Sequence, residues 1–243
     1  MADVKLAQAM VLAAGRGERM RPLTDAVPKP LLRIAHQELL LWQLQALARG
    51  GVGRVVINTD WLGEQIRARF GNQYVAPDPA PAGQAPFPDA RQPVQLQYSN
   101  EGRDFGHALE TAGGIARALP YLADPFWALA GDIFVPDFVF SLAAAERFAA
   151  SGKLAHLWLV PNPPLHPQGD FGLGTQMSGE EPRVRLALAQ AAEQYTFSAI
   201  GLYRQALFAP PYCDIAAGNP QGRAAKLAPI LRAAMADGRV MAG

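Results

Sequence analysis

The chain has 243 residues, half of them hydrophobic and 18% charged, with a formal net charge of +1. That supplies the core of one large domain but no broad basic surface for nucleic acid, so any anionic ligand must be held by charges gathered locally. Cys213 is the only cysteine, which excludes an intrachain disulfide and a cysteine-built metal centre and suits a reducing, cytoplasmic compartment. No apolar run reaches the length of a membrane span. Leu6 to Ala14 is nearly apolar, but Asp3 precedes it and Gly15-Arg16-Gly17 follows directly. It reads as a buried strand meeting a loop rather than a signal peptide.

In chain order, Ala7 to Ala13 is a continuous apolar strand of the kind found inside parallel sheets. Leu39 to Arg49 has apolar residues at helical spacing, stopped by Gly50-Gly51. Arg54 to Asn58 is a second strand, Leu62 to Phe70 a second helix and Val94 to Tyr98 a third strand. Ala108 to Leu119 is helical and ends near Pro120. Phe126 to Ala130 is a fourth strand, followed by Gly131-Asp132. Gly169 to Gln190 reads as short strands or hairpins, Phe197 to Tyr203 as a strand and Ala224 to Ala236 as a final helix. Residues 76–93 hold six prolines and read as an extended insertion loop. The alternation predicts one α/β domain over residues 1–243. Its sheet is Rossmann-like, mixed and mostly parallel, with helices on both faces. Ligands of such sheets bind beyond the carboxyl ends of the strands, where the glycine loop, Asp60 and Asp132 all fall.

The stretch Gly15-Arg16-Gly17-Glu18-Arg19-Met20 follows the first strand, and glycines there let backbone N–H groups approach phosphate oxygens. A Walker A loop requires Gly-Lys-Ser/Thr, which is absent. A dinucleotide fingerprint requires a small residue where Met20 stands and an acid about 20 positions on, where the chain reads Pro28-Lys29-Pro30-Leu31-Leu32. Two readings remain: an ordinary turn with solvated arginines, or a loop whose own cations handle phosphate. Arg16, Arg19, Arg21 and Lys29 supply four cations within fifteen residues. Flanking prolines fix the backbone that presents Lys29.

The segment Leu12-Ala13-Ala14-Gly15-x-Gly17-x-Arg19-Met20-x-Pro22-Leu23-Thr24, followed by Pro28-Lys29-Pro30-Leu31, resembles the signature of the sugar-1-phosphate nucleotidyltransferases. Glu110-Thr111-Ala112-Gly113-Gly114 and Gly131-Asp132 reinforce it. Gly169-Asp170-Phe171, Tyr195-Thr196-Phe197-Ser198 and Lys226-Leu227-Ala228-Pro229 are similar to the branch of that family acting on N-acetylmuramate 1-phosphate in peptidoglycan recycling. The resemblance covers nearly the whole chain outside the proline-rich insertion.

The resemblance implies attack of a sugar-phosphate oxygen on the α-phosphorus of a nucleoside triphosphate, UTP in this branch, with pyrophosphate leaving. The partners are then a nucleoside triphosphate and a sugar 1-phosphate, with no nucleic acid and no membrane. Arg19 is implied on the triphosphate side and Lys29 at the reacting phosphates. Backbone amides of Gly15, Gly17 and Glu18 are implied to cradle the triphosphate, and Leu12, Ala13 and Ala14 are implied among the nucleotide-binding residues. Glu110, Thr111 and Gly113 are implied near the base or ribose. Asp132, exposed after a buried strand and a glycine, is implied to hold magnesium, which takes one or two carboxylates plus phosphate and water. Asn162, Asp170, Ser198 and Lys226 fall where the family binds the sugar phosphate. His107, His156 and His166 have no metal-ligand spacing and read as structural or exposed.

Two departures stand out. The family carries a later Trp-x-Asp-Val-Gly-Thr-like segment whose Asp completes the magnesium site, and the sequence reaches Gly243 without one. Ala130 stands where the N-acetylmuramate branch has asparagine. Glucose or mannose 1-phosphate with dTTP or GTP, and a non-catalytic nucleotide-sugar-binding module, therefore remain as alternatives.

Overall fold

The computed structural model describes residues 7–76, 92–176 and 184–243. The elements follow in chain order: β1 (Ala7–Ala13), α1 (Leu23–Ala26), β2 (Arg33–Ile34), β3 (Gln37–Glu38), α2 (Leu39–Arg49), β4 (Val52–Thr59), α3 (Gly63–Phe70) and β5 (Gln73–Tyr74). Next come β6 (Val94–Asn100), α4 (Glu101–Phe105), α5 (Glu110–Ala118), β7 (Phe126–Ala130), α6 (Leu142–Ala150), β8 (Ala155–Val160) and β9 (Phe171–Gln176). The chain continues through β10 (Val184–Leu188), β11 (Gln194–Tyr203), α7 (Leu227–Ala236) and β12 (Val240–Ala242).

Among the described residues, one ten-stranded sheet runs β5-β6-β4-β1-β7-β11-β8-β12-β10-β9. The block β6-β4-β1-β7 is parallel, and β11 lies antiparallel to both β7 and β8. The order reverses at β1: the chain builds β4 and β6 on one side and then returns to β7 on the other. A crevice therefore opens beyond the carboxyl ends of β1 and β7, as it does at the switch point of other open α/β sheets.

Strand periodicity sends successive side chains to opposite faces, and both faces are covered. Met10, Val56 and Ala128 pack with α5 and α7 through Ile115, Ile230 and Leu231. Ala9, Val11, Val55 and Ile57 pack with α2, α3 and α6 through Leu40, Leu44, Ile66 and Phe148. Trp127 anchors the second face. It is fully buried, with ring centroids 5.2 Å from Phe140 and 4.9 Å from Trp158. Its indole N–H has no hydrogen-bond partner. Among the described residues no helix is long and apolar enough to cross a membrane.

Several element boundaries differ from the sequence expectation, each for a local reason. Leu62 has φ +53°, so the second helix begins at Gly63. Glu110 has φ +58°, so α5 starts there rather than at Ala108. The last helix begins at Leu227, because Ala224 and Ala225 belong to a hydrogen-bonded loop. Its Pro229 sits within the first turn, where a missing N–H carries no penalty. β11 is longer than expected and changes register between Phe197 and Gly201, with Ala199 at φ +62°. The sequence reading is silent on α6 and β8. The 76–93 insertion lies outside the described residues, apart from Ala76, Gln92 and Pro93.

Replacing Trp127 by Ala is expected to cost roughly 3–5 kcal/mol through the cavity it leaves. Trp127→Phe should cost only about 1–2 kcal/mol, since it also deletes a buried N–H without a partner. Urea midpoints of the two variants check the difference.

Candidate active site

A cavity of about 810 Å³ opens at the crevice, within the usual range of small-molecule sites. The glycine loop after β1 forms one rim, and Asp132 after β7 faces it across the opening. Gly17 has φ +69°, and a Cβ there would sit 2.9 Å from the Thr24 methyl, so only glycine makes this turn without strain. Thr24 is buried and donates its hydroxyl to the Gly17 carbonyl at 2.9 Å, which tightens the loop. Nothing lies within 4 Å of the Cβ position of Gly15, so its backbone is open to an approaching ligand.

Lys29 Nζ donates to Asp132 Oδ2 at 2.5 Å, joining residues 103 positions apart. Both sides of that pair are built rather than incidental. Lys29 opens a short 3-10 turn fixed between Pro28, at φ −65°, and the buried Pro30. Asp132 follows Gly131, whose N–H donates to the Leu12 carbonyl at 2.7 Å. A Cβ at Gly131 would crowd that carbonyl at 2.8 Å, so β7 can end this close to β1 only with glycine. Gln43, buried on α2, donates to the carbonyls of Ala130 and Ile133 and pins the turn carrying Asp132 from behind.

Of the four cations near the loop, three line the cavity: Arg16, Arg19 and Lys29. Arg21 instead pairs with Asp25 at 3.3 Å on the surface. The Arg16 guanidinium lies 3.9 Å over the Trp61 ring, whose N–H donates to the Thr24 carbonyl. Arg19 is exposed at the rim.

Beneath the glycine loop lies a buried polar chain. The Ala13 N–H donates to Asn58 Oδ1 at 2.8 Å, and Asn58 Nδ2 donates to Glu101 Oε1 at 2.7 Å. Glu101 Oε2 accepts from the Leu109 N–H at 2.7 Å. The chain ties the ends of β1, β4 and β6 to the segment entering α5. Glu101 is wholly excluded from solvent. Desolvation raises its pKa above the usual carboxylate range, and the hydrogen bonds from Leu109 and Asn58 pull it partly back. Asp60, also on the wall, is raised by burial, with His107 and Arg16 opposing the shift.

The residues expected on the sugar side divide. Asp170 and Lys226 line the cavity, whereas Asn162 and Ser198 do not. The Asn162 amide donates to the carbonyls of Pro167 and Gln194 and accepts from Thr196, which makes it a loop clamp. Ser198 Oγ accepts from the Ile200 N–H within the irregular part of β11. Asp170 is itself engaged, accepting from the Phe197 N–H at 2.8 Å and lying 3.2 Å from His166 Nε2. On the nucleotide side Leu12, Ala13, Ala14, Glu18, Glu110 and Thr111 all line the cavity. Gly113 does not: its N–H donates to the Ala225 carbonyl and its carbonyl accepts from Asn219. A Cβ there would lie 2.4 Å from the Arg223 carbonyl, so this glycine serves close packing. His107 is exposed, and His156 stacks on Trp158 at 4.4 Å with its pKa lowered to about 4 by burial.

The sequence reading missed Gln43, Asn58, Glu101 and Asn219. Each is a polar residue fully or almost fully buried, and each has a weak signature. Gln43 interrupts the apolar stripe of α2, and Asn58 closes an otherwise apolar strand.

A glycine loop, three cations and an opposing carboxylate at the switch point of a mixed sheet are the parts of an α/β protein suited to phosphate-bearing ligands. Comparison with known proteins narrows this: the chain belongs to the nucleotidyl transferase family, which matches residues 8–188. It is 40% identical over 235 residues to the N-acetylmuramate alpha-1-phosphate uridylyltransferase of Neisseria meningitidis serogroup B, covering 96% of this chain and 87% of that one. It is 32% identical over 136 residues to a UTP–glucose-1-phosphate uridylyltransferase of Synechocystis, covering 53% of this chain and 31% of that one. Among solved structures, UDP-glucose pyrophosphorylase complexed with UDP-glucose shares the fold, with a TM-score of 0.66 at 13% identity. That match covers 98% of this chain and 89% of the other.

Glu101 supplies the test of the buried chain. Both its oxygens face N–H donors, so Glu101→Gln must set its own NH₂ against one of them. The expected loss is on the order of 1–3 kcal/mol in urea unfolding at pH 7. Because the folded-state pKa is raised above the reference 4.5, the folded state binds the proton more tightly than the unfolded state. Wild-type stability should therefore fall as pH rises from about 4.5 through the folded pKa, and Glu101→Gln should lack that component.

Proposed function

We propose that the chain transfers a uridylyl group from UTP to N-acetylmuramate 1-phosphate and releases pyrophosphate, in the cytoplasm, as a step of peptidoglycan recycling. The observation that carries this reading is the 40% identity, across 96% of the chain, to a protein of that named activity. The cavity is consistent with it. A phosphate oxygen of the sugar phosphate attacks the α-phosphorus, a new P–O bond forms, and the bond to the β-phosphate breaks. Such a reaction asks for alignment and charge stabilisation more than covalent participation.

The glycine-loop amides hold the triphosphate, and Arg19 swings onto its outer phosphates. Lys29 leaves Asp132 for the oxygens around the α-phosphorus. Thr111 and Glu110 border the nucleoside, and Lys226 and Asp170 border the sugar phosphate. Among the described residues no group of three or more His, Cys, Asp or Glu could hold a metal unaided. The cationic side chains on the wall are Arg16, Arg19, Lys29 and Lys226, outnumbered by Glu18, Asp60, Glu110, Asp132 and Asp170. Two phosphate-bearing reactants entering such a cavity require a counter-cation. Asp132 would hold magnesium, an ion that takes one or two carboxylates together with phosphate oxygens and water. When bound, the ion neutralises charge developing on the α-phosphate and the leaving pyrophosphate. The partial match to a glucose-1-phosphate enzyme keeps a hexose 1-phosphate as the second reading.

Purified protein with magnesium, each nucleoside triphosphate and a panel of sugar 1-phosphates should release pyrophosphate fastest with UTP and N-acetylmuramate 1-phosphate. Preference for glucose 1-phosphate would select the second reading, and silence with every pair would leave a binding module. Asp132→Asn and Lys29→Ala should each lower kcat by about 100-fold or more, the scale of losing one preorganised charge, with unchanged circular dichroism. Full activity in either variant removes that residue from the site.

A further inference from the structure

Two walls of the cavity come from separate parts of the chain. Glu110 and Thr111 begin α5, and Lys226, Leu227 and Ala228 begin α7. The segment 219–225 welds them together. The Ala225 N–H donates to the Leu109 carbonyl at 3.0 Å, and the Ala225 carbonyl accepts from Ala112 at 2.8 Å and Gly113 at 3.2 Å. A helix start normally leaves such N–H groups free for an anion; here a neighbouring loop occupies them.

Asn219 holds that loop in shape. It is completely buried, with φ +41°. Its Nδ2 donates to the Gly113 carbonyl at 3.1 Å and to the Arg223 carbonyl at 2.9 Å, and its Oδ1 accepts from the Arg223 N–H at 2.9 Å. One side chain thus closes the 219–223 turn on itself and fastens the turn to α5. Fully satisfied buried amides of this kind specify one arrangement, because any other leaves polar atoms unpaired. The two walls differ in their other support. Leu109, before α5, is also held by Glu101, whereas the approach to Lys226 is tied to α5 by the Gly218 N–H, which donates to the Ala116 carbonyl at 2.8 Å, and by Asn219 and Ala225.

We infer that Asn219 is a positioning residue that sets the distance between the nucleotide wall and Lys226, and so places the sugar phosphate for in-line attack. The inference rests on the uridylyl-transfer reading above. Small displacements of aligned reactants carry large rate penalties. Glycine tolerates a positive φ, so Asn219→Gly removes the clamp without forcing the backbone. Gly113→Ala is a second, independent perturbation, since its Cβ would press on the Arg223 carbonyl with Asn219 intact.

In both variants the KM for N-acetylmuramate 1-phosphate should rise by about tenfold and kcat should fall, while the KM for UTP stays within about twofold. In a Lys226→Ala background, Asn219→Gly should add little further, because the two act through one contact. Equal rises in both KM values, unchanged constants, or full additivity with Lys226→Ala overturn the inference. Amide exchange separates its failure from failure of the reaction assignment. The Ala112, Gly113 and Ala225 amides should be protected in wild type and exchange at least about tenfold faster in Asn219→Gly. Unchanged protection sinks the clamp. Inactivity of the wild type with every substrate pair, alongside lost protection in the variant, sinks the reaction reading instead.

Discussion

The site depends on a carboxylate that solvent never reaches. Glu101 is buried where β6 ends, and its two oxygens are satisfied by Asn58 and the Leu109 N–H. Asn58 in turn takes the N–H of Ala13, the last residue of β1. An unpaired carboxylate at that depth would be strongly destabilising, so the group enforces a single relation between its donors. Those donors are the ends of the strands that carry the glycine loop and the entrance to α5. Gly114 belongs to the same constraint: a Cβ there would stand 2.6 Å from Glu101 Oε1 and 2.9 Å from Asn58 Nδ2. The glycine pair after Ala112 is therefore read most directly as room for buried polar groups and for the Arg223 carbonyl.

The parallel core of the fold was legible from apolar runs alone. β1, α2, β4 and β7 lie within a few residues of their expected bounds, because continuous burial and helical spacing leave strong patterns. The order of the strands was not legible, since periodicity says nothing about which strand pairs with which. That the glycine loop, Asp60 and Asp132 share one cavity at the strand ends did follow, because such a crevice is a property of the sheet class. Where expectation and structure part, long-range hydrogen bonds decide. Glu110 at φ +58° begins its helix late because Ala225 and Glu101 fix the segment around it. The family resemblance implied Asn162 at the sugar phosphate, yet its amide is occupied by carbonyls, one of them 32 residues away in sequence. No local pattern carries that information.

The same limit applies to the residues the sequence reading passed over. Gln43, Asn58, Glu101 and Asn219 bear no ligand-binding signature, and their partners are carbonyls and N–H groups far along the chain. A polar residue on an apolar face reads as an exception until the backbone it serves is known. In this protein such exceptions mark the supports of the cavity. Gln43 holds the Asp132 turn, Asn58 and Glu101 hold the glycine loop, and Asn219 holds the approach to Lys226.

The charge pattern of the cavity fits this division between supports and reacting groups. Fixed cations in excess would bind triphosphate tightly, but they would hold the ground state and the pyrophosphate product equally well, and uniform binding of that kind does not accelerate the chemical step. Acids on the wall outnumber cations, and the Lys29 charge is already balanced by Asp132. In the proposed reaction the positive charge would come from Arg16, Arg19 and Lys29 on the wall and from a divalent cation that Asp132 would help to hold. The buried polar supports behind the cavity would then keep the reactants aligned in that reaction.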